Sequence, residues 1–152
     1  MITFNGLLSE QVYPNFTTDD IVSIVGDDEF DVNIFERIIK LFQRLPDPLP
    51  IYRIVAVTDL CFLKTENPGQ YWTFDKSKIN LHNLKVSIQN TDAYNKTWVL
   101  LSGMIDKKDV DWYQTMSSFI EYSLDMPKGY EENEIFIEDT TLIKNITHSI
   151  LE

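Results

Sequence analysis

Arg53, Thr73, Glu132 and Glu134 are the residues whose types and order could do chemistry in this chain. Arg53 is the one basic residue in an apolar run, Tyr52-Arg53-Ile54-Val55-Ala56-Val57. A guanidinium offers a planar fork of donors matched to phosphate and keeps its charge at any working pH. Thr73 closes a Gly-led aromatic turn, Gly69-Gln70-Tyr71-Trp72-Thr73. Far downstream, Glu132-Asn133-Glu134 leads into Ile135-Phe136-Ile137. Positions i and i+2 of a strand point to one side, so both carboxylates can face one cleft and take separate tasks. Each segment also has a plainer reading. Simple alternation would leave Arg53 in solvent near a strand end, and Pro68-Gly69 reads as a turn entering a strand with two core aromatics. Glu131 to Glu134 reads as a solvated acidic loop, in which Glu131-Glu132 is another possible pairing. We take Glu132 and Glu134 because the apolar strand begins directly after Glu134.

The elements that must position these groups change character at Pro46, Pro48 and Pro50. Before them the chain reads as a short strand from Ile2 to Leu8, then as helices. Thr17-Thr18-Asp19-Asp20 supplies capping hydroxyls, and carboxylates for the positive end of a helix dipole. That helix should stop at Gly26. A second helix follows Asp27-Asp28-Glu29, with Phe30, Ile34, Phe35, Ile38, Ile39, Leu41, Phe42 and Leu45 on one apolar face. The prolines end it. After them β-branched and aromatic runs predict strands at Ile51 to Val57, Tyr71 to Phe74, Leu84 to Ile88, Trp98 to Met104, Ile135 to Ile137 and Thr141 to Ile146. A helix over about Val110 to Leu124 separates the last two groups. The pattern is α+β, and 152 residues fit one domain spanning 1-152.

Composition narrows the function classes. A hydrophobic share of 43% argues for a packed chain despite a net charge of -11. That charge disfavours direct nucleic-acid binding, which needs clustered Lys and Arg. It suits a basic protein partner. The single cysteine, Cys61, excludes an intramolecular disulfide and a cysteine-based zinc site. His82 and His148 lack metal-ligand spacing, so no metal is expected. No run is long enough to span a bilayer, and the start has no basic region followed by an apolar block, so a cytoplasmic protein is expected.

In order and setting, the aromatic-Arg strand, the Gly-aromatic-aromatic-Thr strand and the Glu-Asn-Glu strand resemble the ADP-ribosyltransferases with an Arg, Ser/Thr, Glu-x-Glu signature. That group includes cholera-toxin-like toxins and phage enzymes. The resemblance covers roughly Leu49 to the C-terminus. It implies two packed β-sheets around a cleft with flanking helices, and NAD as co-substrate. It also implies roles. Arg53 holds NAD, and Ile54 stands where the family often has a Gly whose backbone contacts the nicotinamide amide. Tyr71 or Trp72 packs on the nicotinamide ring. Thr73 orients Glu134, which stabilises the oxocarbenium-like charge, and Glu132 binds or deprotonates the acceptor, a Glu there usually accompanying arginine as target. A host protein is then the expected target. The rival reading is a non-catalytic acidic protein, either a degenerate relative or a DNA mimic, that blocks a basic surface. A cleft joining Arg53, Thr73 and Glu134 favours the enzyme. Carboxylates spread along one outer face favour the mimic.

Overall fold

The computed structural model describes residues 14–26, 32–60, 68–79, 96–125 and 133–151. Among them, three α-helices and five strands follow in the order α1 (Thr18–Val25), α2 (Val32–Arg44), β1 (Leu49–Val57), β2 (Tyr71–Thr73), β3 (Thr97–Ile105), α3 (Trp112–Asp125), β4 (Glu134–Phe136) and β5 (Lys144–Leu151). The expected strands at Ile2 to Leu8 and Leu84 to Ile88 lie outside the described residues. The last strand starts later than expected, at Lys144, because Thr140–Leu142 forms a short 3-10 turn capped by the Asp139 carboxylate.

Local sequence accounts for the helix limits. Thr17 and Asp20 form a reciprocal capping box: the Thr17 hydroxyl accepts from the Asp20 amide, and the Asp20 carboxylate accepts from the Thr17 amide. Gly26, at φ +67, closes α1. In α2 the buried positions are Phe35, Ile38, Ile39 and Phe42, a face repeating every three to four residues. Leu41 departs from the expected face and is exposed. Its neighbour Phe42 carries the packing instead, meeting Trp112 at 4.9 Å and Phe119 at 5.0 Å between ring centroids.

One device at the end of α2 has no local signature. Lys107 is buried, and its ammonium donates to the carbonyls of Leu45 (3.1 Å) and Gln43 (3.4 Å). A cation therefore satisfies the unpaired carbonyls at the negative end of the helix. Burial lowers the Lys107 pKa, and the charge of Asp47 works against that shift.

The five strands form one antiparallel sheet in the order β4-β2-β1-β3-β5. The α+β class therefore holds. Where two packed sheets were expected, the described strands make a single sheet, because β1 and β2 stay hydrogen-bonded at one point. The centre is the β1–β3 ladder, paired from Leu49↔Ile105 to Val57↔Thr97. Residues opposite one another share a face. Leu49, Ile51, Val99, Leu101 and Ile105 thus line one face, and they join α1, α2 and α3 residues in a core running from Phe16 to Ile143. On β5 a bulge at Asn145, φ +56, shifts the register between Ser102 and Met104.

The junction of β1 and β2 is the thinnest place in the sheet. Its register is the single pair Tyr52↔Thr73. Beyond this seam, β4 is held along both of its edges. It pairs with β2 over Tyr71↔Phe136, Trp72↔Ile135 and Thr73↔Glu134. Its other edge is covered by the start of α3: the Asp111 amide donates to the Phe136 carbonyl (3.0 Å), and the Phe136 amide donates to the Thr115 hydroxyl (3.0 Å). An edge strand of three residues is fixed this way without a further strand.

Candidate functional site

Arg53, Thr73 and Glu134 lie on the three strands around the seam between β1 and β2. Arg53 leaves β1 on the face of Leu101, one position past the only β1–β2 pair. Its Nη1 donates to the Tyr71 carbonyl of β2. A side chain here takes the place of a ladder bond that the parting strands no longer make. Gly69 permits the approach: a Cβ built there would lie 2.6 Å from the guanidinium carbon and 2.8 Å from Nε. Gly69 also adopts φ +92, a region that L side chains rarely enter. The backbone angle favours glycine at this turn, and any added Cβ would push the guanidinium from its place.

Arg53 is half-buried. Burial lowers its pKa, and the negative charge of Glu134 acts in the opposite direction. Arg53 Nε is buried and has no hydrogen-bond partner among the described residues. A buried guanidinium donor left without a partner is costly.

Thr73 and Glu134 stand opposite each other on β2 and β4, so they share a face. Tyr52 continues that row onto β1, and Ser102 and Thr147 carry it across β3 and β5. Arg53, being one residue on from Tyr52, starts from the other face. The Thr73 hydroxyl lies 3.1 Å from the Asn133 carbonyl, to which it can donate, and accepts from the Asp75 amide at 3.0 Å. It therefore ties the entrance of β4 to the exit of β2.

The two aromatics of the turn separate. Trp72 is 1% exposed and belongs to the core, and its Nε1 donates to the Gly69 carbonyl at 2.8 Å. As a surface for stacking a ligand ring it is therefore corrected to a structural residue. Alternation carries the signal: in a strand, Trp72 must face away from Tyr71 and Thr73. Tyr71 is 44% exposed and rests on Phe136 with ring centroids 5.1 Å apart. Ile54 is half-buried, opposite Leu100. Glu132 and Glu131 lie outside the described residues, as do Cys61 and His82.

Sequence reasoning does not single out Asp75 and Asn133, yet both take part. Asn133 has φ +50, in the left-handed region that Asn tolerates better than most residues. Its carbonyl accepts from the Phe74 amide at 3.0 Å, and its Nδ2 donates to Asp75 Oδ2 at 3.1 Å. Asp75 Oδ1 accepts from the amide and hydroxyl of Ser77, at 3.0 and 2.6 Å. The Ser77 hydroxyl bond, chiefly, holds the Asp75 carboxyl below its ordinary pKa. Lys76, on the short turn that follows, lies 5.8 Å from the Tyr52 ring centroid. An enrichment of Asn at positive φ is the one local signal that could have singled out Asn133.

Among the described residues no group of three or more His, Cys, Asp or Glu gathers to hold a metal ion, and no helix is long and apolar enough to cross a membrane. No protein-family model, curated protein or solved structure matches this chain.

Proposed function

We propose that this protein is an NAD-dependent ADP-ribosyltransferase that modifies a protein target, with arginine as the acceptor side chain. The observation that supports the reading is that Arg53, Thr73 and Glu134 lie on three neighbouring strands, β1, β2 and β4. Thr73 stands beside Glu134 on one face, and Arg53 leaves β1 on the other, reaching the Tyr71 carbonyl of β2. The reading includes an ADP-ribosyltransferase-like cleft, opened where β1 and β2 share one register pair. NAD is the co-substrate, and its diphosphate is the anion that Arg53 would hold.

The division of labour follows from charge. Arg53 grips phosphate or ribose with a fixed fork of donors. Tyr71 is the exposed aromatic beside the seam and packs against the nicotinamide ring. Ile54 offers its backbone to the nicotinamide amide. Thr73 orients Glu134. The Glu134 carboxylate stabilises the positive charge that grows on the ribose as the bond to nicotinamide breaks, and nicotinamide leaves with the bonding electron pair. Glu132 takes the proton of the acceptor nitrogen as that nitrogen bonds to the ribose carbon. The target would lie in the cytoplasm of a host cell.

Incubation of the protein with labelled NAD and a cell lysate tests this directly. The expected result is release of free nicotinamide and transfer of label to arginine side chains of a protein. NAD consumption without labelled macromolecule would replace transfer by hydrolysis. Unchanged NAD would remove the activity altogether.

A further inference from the structure

Three polar contacts converge on Asn133, one residue before Glu134, three more hold Thr73 and Asp75 around them, and none of them involves the Glu134 side chain. Asp75 Oδ2 accepts from Asn133 Nδ2 (3.1 Å). The Asn133 carbonyl accepts from the Phe74 amide (3.0 Å) and lies 3.1 Å from the Thr73 hydroxyl. That hydroxyl accepts from the Asp75 amide (3.0 Å), and Asp75 Oδ1 is held by Ser77. Asn133 sits at φ +50, so its geometry is one that the chain does not adopt by default. A strained backbone persists where its surroundings over-determine it. We infer that Asp75 is a positioning residue for Glu134: its carboxylate clamps the Asn133 side chain, and the clamp fixes the direction in which the chain enters β4.

The inference rests on the proposed activity for its catalytic consequence, but the clamp itself is separable from it. Both Asp75 oxygens accept hydrogen bonds, so the carboxylate is held in one orientation. Its partner lies far along the chain, with Asp75 and Asn133 separated by 58 positions. The link therefore joins the exit of β2 to the entrance of β4, the two strands that carry Thr73 and Glu134.

The chemistry of the pair supplies its own control. Asp75→Asn replaces a carboxylate by an amide with a single acceptor oxygen, so one donor loses its partner. Asn133→Asp sets two carboxylates face to face. Exchanging the two residues, as Asp75→Asn with Asn133→Asp, restores one donor against one acceptor and leaves the amide oxygen at position 75 for Ser77. Each single variant is expected to lower kcat for NAD about tenfold with KM within about twofold. The exchange is expected to recover most of that loss, which a general loss of packing would not do. NMR of the same proteins gives an activity-independent readout. Each single change should move the Glu134 amide resonance and speed hydrogen exchange at the Phe74 amide, and the exchanged pair should return both. If the wild type turns over NAD and the single variants keep its kcat, or the exchange fails to restore either readout, the clamp is overturned. If the wild type does not turn over NAD, the proposed activity falls. The Glu134 and Phe74 amides then decide alone: displacement with recovery upholds the clamp, and unchanged signals overturn it.

Discussion

Glu134→Gln is expected to reduce NAD turnover about a hundred- to a thousandfold while leaving the fold intact. The substitution is isosteric, so the pairing of Thr73 with position 134 and the packing of β4 against α3 remain. What goes is the negative charge. Such a preorganised charge commonly contributes about 3–4 kcal/mol to lowering a barrier, and that energy corresponds to roughly the stated loss of rate. The same change removes the carboxylate that acts on Arg53, so the guanidinium pKa should fall further. A steady-state assay of NAD consumption, with thermal unfolding as control, measures both sides. Turnover like that of the wild type in a normally stable variant would move the reaction centre elsewhere.

Trp72→Ala carries the largest expected effect on stability, a loss of about 3–5 kcal/mol. Trp72 is fully enclosed in the core, in line with Ile135 across β2 and β4, and its indole N–H is satisfied by the Gly69 carbonyl. Truncation would empty a large volume and remove the indole donor from that carbonyl. The cavity would open directly beneath the turn that brings Gly69 against Arg53. Urea denaturation of the two proteins measures the difference. A change below about 1 kcal/mol, coupled to weaker NAD binding, would return Trp72 to the ligand surface that the turn sequence alone implied.

The helices were legible because their signals are local. Thr17 with Asp20, Gly26 and the three prolines bound α1 and α2 within a turn, and the spacing of Phe35, Ile38, Ile39 and Phe42 names the buried face. Strands were legible in their existence. Their partners were not, since pairing joins residues far apart, and β4 reaches β2 across some sixty positions. Register then decides what a site can be. Arg53 and Tyr52 are adjacent in sequence, yet the pair Tyr52↔Thr73 puts Thr73 and Glu134 on one face and starts Arg53 from the other. No local pattern contains that fact. Trp72 was readable from alternation, because its neighbours Tyr71 and Thr73 claim the opposite face. The buried Lys107 cap on α2 was not readable, because a lysine in a Lys-Lys-Asp turn looks like any solvated charge until Leu45 and Gln43 are folded against it.

Titration of NAD by calorimetry into the wild type and into Arg53→Lys tests the central claim most directly. Lysine keeps the charge but offers a compact ammonium in place of the planar fork. Its ammonium cannot hold the Tyr71 carbonyl and a ligand phosphate in one rigid, planar arrangement as the guanidinium does. The predicted result is measurable NAD binding by the wild type and an affinity at least about tenfold weaker in Arg53→Lys, equivalent to about 1.4 kcal/mol. Equal affinities, or no binding of NAD by either protein, would contradict it.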